Sequence, residues 1–121
     1  MIKTVPIKKN SDFVRVYKKG KFYAGRHIVL YVLRNGCNIN RIGITVGRKF
    51  GKSVKRNRVK RLIRENYRLY EIFVKNGYDI VFVARSGEDM PTFADIRKEM
   101  KFLLKKLDIF DREKWDCLKD S

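Results

Sequence analysis

Alternating apolar positions along the chain predict a small sheet. In the first such run, Ile28 and Leu30 point to one side of the strand while Val29 and Tyr31 point to the other, so both faces of the sheet are expected to be covered. The runs that predict strands are RHIVLYVLR (26–34), RIGITVG (41–47) and YDIVFVAR (78–85), and a fourth strand is expected near KFYAG (21–25).

Helical spacing of apolar residues predicts three helices around these strands. In the first helix, Phe13, Val16 and Tyr17 share one apolar and aromatic face. The second helix is expected from about Val54 to Val74, and the third follows Thr92 and reaches about Leu107. Between the first two long strands, the Asn35–Gly36 pair predicts a turn and is a usual signal of a hairpin.

The order helix, two strands, helix, strand, helix predicts an α+β fold, in which a small mixed sheet of about four strands packs with three helices. The 121 residues are expected to form a single domain, 1–121. Residues 109–121 are expected to form a mildly acidic tail, which Trp115 either docks loosely or leaves exposed.

The charge of the chain points to a polyanionic partner. Thirty basic and 13 acidic residues give a formal net charge of +17. Nucleic acid, an anionic membrane surface and an acidic protein are all candidates. No apolar run approaches the roughly 18 residues that span a bilayer, and the N-terminal stretch MIKTVPIKKN lacks the apolar region of a secretory signal. We therefore expect a cytoplasmic protein without a membrane partner.

One segment concentrates this charge. Between Arg48 and Arg68, Glu65 is the one acid among ten Lys and Arg residues, while Val59 and Ile63 keep helical spacing with Leu62 and Tyr67. Like charges four residues apart on a helix each cost a few tenths of a kcal/mol, about the size of a favourable pair. Since a helix that is merely solvated would alternate its charges, this cationic face is expected to bind a partner. The membrane is the weaker choice because the apolar stripe is needed for the core.

Small residues and aromatic residues predict a groove beside this helix. Gly43 and Thr45 lie on a strand face with almost no bulk, which indicates either a close approach by a ligand or a bend in the strand. Phe13, Tyr17 and Tyr31 are either ordinary core residues or walls on which unpaired bases stack. A groove with an open floor and stacking walls suits single-stranded nucleic acid better than a duplex.

Independent catalysis is the less favoured alternative. The carboxylates Asp12, Glu65, Asp79, Glu88 and Asp89 are scattered and lack metal-ligand spacing, so no metal site is expected. His27 is the sole histidine and is expected to be packed or exposed rather than catalytic, and Cys37 and Cys117 are expected to be two reduced thiols.

The segment KRNRVKRLIRE (55–65) closely resembles the RNR signature of the bacterial ribonuclease P protein component. The likeness extends over most of the chain, through SDFVRVYKKGK, IVLY, RIGITVGRKFGKSVKRNRVKRLIRE and YDIVFVAR. The resemblance implies a fold similar to the second domain of ribosomal protein S5. It also implies a left-handed strand–helix–strand crossover around the signature helix, against the general right-handed rule.

The resemblance also implies a function. Ribonuclease P removes the 5′ leader of precursor tRNA. Its RNA subunit carries the active site and holds most of the magnesium, and its protein subunit binds that RNA and the leader without catalytic residues or a small-molecule substrate of its own. The residues implied to contact the RNA subunit are Arg48, Lys49, Lys52, Lys55, Arg56, Asn57, Arg58, Arg61 and Arg68. Those implied to line the leader groove are Phe13, Tyr17, Tyr31, Gly43, Thr45, Lys60 and Arg64.

A general RNA-binding structural protein, such as a ribosomal component of similar fold, is the main rival. It would need the basic helix but not the leader groove.

Overall fold

The computed structural model describes residues 4–86 and 90–119. Its sheet has five strands in the order β1-β4-β5-β3-β2. The central strand β5 pairs with β4 in parallel and with β3 in antiparallel fashion, while β1 adds to β4 in parallel and β2 to β3 in antiparallel fashion. The strands are β1 (Thr4–Pro6), β2 (Lys21–Ala24), β3 (Ile28–Arg34), β4 (Asn40–Val46) and β5 (Tyr78–Ala84).

The described part of the chain also has four α-helices, together with short 3-10 turns at Arg48–Phe50 and Glu71–Phe73. The mixed α+β class is therefore confirmed, and KFYA is the expected fourth strand, β2. Strand β1 and the last helix were not predicted. The helices are α1 (Asn10–Lys19), α2 (Ser53–Tyr70), α3 (Phe93–Lys106) and α4 (Arg112–Lys119).

The Asn35–Gly36 turn forms, with Gly36 at φ 74°, but the hairpin that it signals is wrong. Strands β3 and β4 do not pair with each other, because β5 lies between them and hydrogen-bonds to both. Helix α2 connects β4 to its parallel neighbour β5. The left-handed sense of this crossover stays a prediction of the family resemblance.

One face of the sheet, here called the closed face, carries the main apolar core. Helices α2 and α3 pack there against Ile80 and Phe82 of β5, both of which are fully buried. Burying a side chain of this size stabilises the fold by roughly 1.5–3 kcal/mol. Helix α3 starts with a complete capping box, in which Thr92 and Asp95 each accept a backbone N–H of the other.

The opposite face, here called the open face, carries a smaller apolar cluster. Val81 of β5 is buried there beneath Val16 of α1, and Ile7 completes the cluster. Around it lie half-buried side chains, including Phe13 and Tyr31. The alternation of β3 and β5 thus supplies apolar residues to both faces, as the sequence predicts.

The C-terminal segment packs on the end of α2. Ile109 and Phe110 are buried, and the ring of Trp115 in α4 lies 4.9 Å from Phe73 and 5.6 Å from Phe110, centroid to centroid. Of the two alternatives for Trp115, the structure shows the docked one. Sequence periodicity alone did not reveal α4 because its packing depends partly on residues about forty positions earlier, such as Phe73.

Candidate nucleic-acid interface

Helix α2 divides cleanly into an apolar side and a cationic side. Val59, Ile63 and Tyr67 are buried against the closed face. Tyr67 also hydrogen-bonds Thr4 of β1 at 3.0 Å, and its burial raises the pKa of its hydroxyl to about 12. The predicted basic residues lie on the remaining surface: Lys55, Arg58, Arg61, Arg64 and Arg68 are exposed with Asn57, and Arg56 and Lys60 are half-buried.

The cationic side of α2 has little internal charge compensation. Its one ion pair among the described residues joins the Arg61 Nε to Glu65 Oε1 at 3.1 Å, and the side chains of Arg61 and Glu65 are 78% and 44% exposed. Such an i,i+4 pair contributes about 0.3–0.5 kcal/mol. The Arg56 Nε is buried and has no hydrogen-bond partner in the described part of the chain. The helix is therefore left with positive charge that an external anion would neutralise.

Positive charge also surrounds the N-terminus of α2. Lys52 occupies the N-cap position, no side chain caps the helix there, and its first turn holds no acid. Arg48 and Lys49 lie in the preceding 3-10 turn and are exposed. Cations at a helix N-terminus oppose the helix dipole, whereas phosphate oxygens satisfy the free N–H groups there. The arrangement favours a polyanion over solvent alone.

The aromatic residues predicted for the groove come together on the open face. The Tyr17 ring lies 5.0 Å from that of Tyr31 and 6.4 Å from that of Phe13. The Tyr17 hydroxyl also hydrogen-bonds the Thr45 Oγ1 at 3.0 Å, which ties α1 to β4. Tyr17 is 36% exposed, so it is neither a core residue nor a free one.

The space above Gly43 is filled by a side chain and is not open to a ligand. Gly43 is buried, and a Cβ at this position would overlap the Phe13 ring. The floor of the groove is therefore closed at Gly43, because the missing side chain makes room for Phe13 rather than for a ligand. The glycine acts on the groove indirectly, by setting the height of the Phe13 ring above the sheet.

A buried carboxylate fixes the base of the open face. Asp79 is fully buried and accepts hydrogen bonds from Arg41 Nη2 at 2.6 Å and Nε at 2.8 Å, with Arg15 at 3.3 Å. Burial alone would raise the pKa of the Asp79 carboxyl, but these hydrogen bonds and the Arg41 charge lower it overall. The same hydrogen bonds raise the pKa of the Arg41 guanidinium. This network orders α1, β4 and β5 relative to one another.

Lys60 and Arg64 lie apart from the aromatic residues, on α2. Arg64 lines a cleft of about 290 Å³ beside Ile42 and Ile44, which belong to the closed face. The groove residues thus form two sets on opposite sides of β4. Strand β1 pairs with β4 only as far as Ile42, so the strand from Gly43 to Val46 forms the edge between the two sets.

The remaining candidates of the sequence are elsewhere. Cys37 and Cys117 are free and exposed, and the backbone N–H of His27 bonds Glu99 of α3. Glu88 and Asp89 lie outside the described residues. Within residues 4–86 and 90–119, no group of three His, Cys, Asp or Glu side chains is placed to hold a metal ion. In the same part of the chain, no helix combines the length and the apolar character that crossing a membrane requires.

Sequence reasoning missed one aromatic neighbour of the groove. The Phe22 ring of β2 stacks on Tyr31 at 5.2 Å, with 26° between the ring planes. Alternation within KFYA shows only that Phe22 and Tyr23 lie on opposite faces of β2. The pairing of Phe22 with Tyr31 shows that Phe22 lies on the open face.

The mixed sheet, the cationic helix and the row of aromatic rings define a class of small basic α+β proteins whose surface suits a polyanion. Comparison with known families is more specific, since the family Ribonuclease P matches residues 1–108. The chain belongs to the ribonuclease P protein family.

Individual relatives agree with this assignment. The chain is 50% identical over 106 residues to the ribonuclease P protein component of Clostridium botulinum (strain Loch Maree / Type A3), covering 87% of this chain and 96% of the relative. It is 49% identical over 108 residues to that of Clostridioides difficile (strain 630), covering 88% and 95%.

Solved structures show the same fold. The RNase P protein of Staphylococcus aureus matches with a TM-score of 0.79 and 38% identity, over 87% of this chain and 96% of that one. The RNase P protein of Thermotoga maritima matches with a TM-score of 0.75 and 32% identity, over 84% and 96%. Helix α4 lies beyond residue 108, where the family match ends.

Proposed function

We propose that this protein is the protein subunit of ribonuclease P, in which it binds the catalytic RNA subunit and the 5′ leader of precursor tRNA. The ribonucleoprotein is an endonuclease that hydrolyses the leader from the tRNA, and the RNA subunit performs the chemistry. Membership of the family supports the tRNA-processing role. The observation that carries the finer proposal is the placement of a cationic helix and an aromatic surface on opposite sides of one strand, β4.

The cationic side of α2 and the turn before it form the surface proposed for the RNA subunit. Arginine predominates there, and its guanidinium binds phosphate in a bidentate manner. The uncapped N-terminus of the helix supplies backbone N–H donors for phosphate oxygens. The residues are Arg48, Lys49, Lys52, Lys55, Arg56, Asn57, Arg58, Arg61 and Arg68.

The aromatic row on the open face is the surface proposed for the leader. Phe13, Tyr17 and Tyr31 offer partly exposed ring faces, and each base that stacks on such a ring contributes about 1–3 kcal/mol. Stacking requires bases that are not paired, which a single-stranded leader supplies. In this proposal Thr45 and Gly43 position the rings, while Lys60 and Arg64 bind the leader phosphates that cross the edge of β4.

Charge neutralisation explains how binding would assist cleavage. Two RNA strands that approach each other near the scissile bond repel, and each phosphate contact made by a Lys or Arg releases counterions. The net charge of +17 therefore lowers the repulsion between RNA subunit and substrate. We assign the magnesium ions that the reaction needs mainly to the RNA subunit, and the protein to the cytoplasm, where tRNA precursors are processed.

The test is cleavage of precursor tRNA at low magnesium by a bacterial ribonuclease P RNA, with and without this protein. Binding of substrates with and without a leader is measured in the same reactions. The proposal predicts that the protein rescues cleavage at low magnesium and tightens binding of the leader-bearing substrate more than that of mature tRNA.

Other results would favour a different function. Tight binding of RNA without rescue and without leader preference, together with co-purification with ribosomes, would indicate a general RNA-binding protein. Hydrolysis by the protein alone, lost on replacing a carboxylate or His27, would indicate an independent nuclease.

A further inference from the structure

Phe22 is the most exposed large apolar side chain on the strands of the described sheet. Its side chain lies on β2, the edge strand beside β3, and is 60% exposed. A single exposed apolar residue is ordinary on a protein surface and by itself indicates nothing. The position of Phe22 relative to other aromatic rings is what indicates a function for it.

The Phe22 ring extends the aromatic row of the open face by one member. It stacks on Tyr31, whose ring is in turn met edge-on by Tyr17 at 72°, and Tyr17 is followed by Phe13. The row thus runs across the sheet from above β4 to the outer strand β2, where Phe22 pairs with Tyr31 in the strand register. Three of its members are the rings proposed above to contact the leader.

Two exposed lysines lie close to Phe22 in sequence. Lys18 and Lys19, which end α1 and precede β2, are exposed. No ion pair is recorded for either side chain among the described residues. These lysines precede Phe22 by four and three residues, and proteins that bind single-stranded nucleic acid combine flat rings for bases with nearby cations for phosphates.

We propose that Phe22 is a further base-stacking residue, which binds a leader nucleotide farther from the cleavage site than those at Phe13, Tyr17 and Tyr31. This inference rests on the function proposed above and adds to it a contact that depends on leader length. The side of Phe22 that faces away from Tyr31 supplies the stacking surface. A leader too short to reach β2 gains nothing from this residue.

The same strand offers a matched control. Tyr23 follows Phe22 and is 38% exposed, but its ring packs on Phe102 of α3, 5.8 Å away, on the closed face. Replacing Tyr23 therefore removes an exposed aromatic side chain of similar size without touching the row. Phe22→Trp keeps a flat ring, whereas Phe22→Leu keeps apolar area without one.

The experiment measures dissociation constants of the complete ribonucleoprotein for precursor tRNAs whose leaders grow one nucleotide at a time. For leaders long enough to reach β2, we expect Phe22→Ala and Phe22→Leu to weaken binding about tenfold, within the range for one stacked base. For shorter leaders and for mature tRNA the same variants should match the wild type. Phe22→Trp and Tyr23→Ala should match it at every length.

Several outcomes would overturn the inference. One is a wild-type protein that prefers long leaders together with a Phe22→Ala variant whose affinity equals that of the wild type at each leader length, which leaves the function proposed above intact. A second is a loss that is equal for all substrates or is shared by Tyr23→Ala, since that indicates a structural effect. A third is altered self-association with unchanged RNA affinity, which would assign the ring to contact with a second copy. Absence of any leader preference in the wild type would instead refute the proposed function.

Discussion

The closed and open faces of the sheet are built from the same alternating strands but differ in burial. On the closed face, Ile80 and Phe82 of β5 are fully buried under α2 and α3. On the open face, their neighbours Val81 and Val83 lie near rings and hydroxyls that remain partly in solvent. Because side chains alternate strictly along a strand, one face can supply stability while the other stays available for binding.

Specific contacts hold the side chains of the candidate interface in place. Tyr17 is held by its hydrogen bond to Thr45, and the base of the face is fixed by the ion pair of Asp79 with Arg41. Side chains held in place before binding lose less conformational entropy on binding. The open face is exposed, yet it is preorganised.

The sharpest test of the comparison is Phe82→Ala on the closed face. Removing a fully buried phenyl ring leaves a cavity, and we expect the free energy of unfolding to fall by about 3–5 kcal/mol. Tyr17→Ala on the open face should cost less, about 2 kcal/mol, because it removes one hydrogen bond and the contacts of a partly exposed ring. Urea unfolding followed by circular dichroism measures both, and equal losses would remove the distinction between the faces.

The second test concerns the buried charge of the open face. Asp79→Asn keeps the shape of the side chain but removes the negative charge that Arg41 pairs with. We expect the free energy of unfolding to fall by about 2 kcal/mol, less than for a fully buried pair, because Arg41 is 27% exposed. The measurement is urea unfolding at neutral pH. A loss below about half of this value would mean that solvent already screens the pair.

The pH dependence of the free energy of unfolding should also reveal the Asp79–Arg41 pair. Since the folded-state pKa of Asp79 is lowered, its stabilising contribution is complete above the ordinary pKa of Asp. It is lost as the pH falls through the lowered, folded-state value. The wild type should therefore lose more stability than Asp79→Asn between neutral and strongly acidic pH. Parallel pH profiles of the two proteins would contradict this assignment.

A third and smaller effect is expected from Gly43→Ala. The added methyl group would collide with the Phe13 ring and displace it, at a cost of about 1 kcal/mol, the lower end for overpacking because Phe13 is only half-buried. Affinity for the leader should fall with it. Gly47→Ala is the matched control, since nothing lies within 4 Å of a Cβ there and its φ of −73° suits alanine. Equal behaviour of the two variants would show that Phe13 adapts freely.

The smallest change in stability is expected on the cationic side of α2. Arg58→Ala with Arg61→Ala should alter the free energy of unfolding by less than about 0.5 kcal/mol, since both residues are exposed and one weak ion pair is lost. The salt dependence of binding to the RNA subunit should nevertheless flatten by about two units of slope.

Its control removes two exposed lysines elsewhere, Lys98 of α3 and Lys114 of α4. That double variant carries the same net charge and should keep most of the salt dependence. If both double variants lose equal affinity, total charge matters and the position of the charge on α2 does not.

The closed face was the more predictable of the two, because its pattern is local. The spacing of Val59, Ile63 and Tyr67 within α2 and the alternation of β5 sufficed to place the core. Strand β1 was missed because three residues that include Pro6 carry no strand signal of their own. Proline is tolerated on an edge strand such as this one, and the strand exists because β4 offers it a partner.

The open face could be predicted by residue type but not by arrangement. Phe13, Tyr17 and Tyr31 do gather there, as their aromatic character indicated. That Phe13 fills the space above Gly43, and that Phe22 joins the row, depends on contacts between distant segments. The assignment of these residues to RNA stays a prediction until binding is measured.

The position of β5 in the middle of the sheet has a consequence for synthesis on the ribosome. Strands β1 and β4 form one half of the sheet and β2 and β3 the other, and β5 is the single strand in the described sheet that joins them. Since it spans Tyr78–Ala84, about two-thirds of the chain must emerge before the halves can be joined. Domains generally fold as units during synthesis. We therefore expect this protein to fold late and in one cooperative step, after its most basic segment has already left the ribosome.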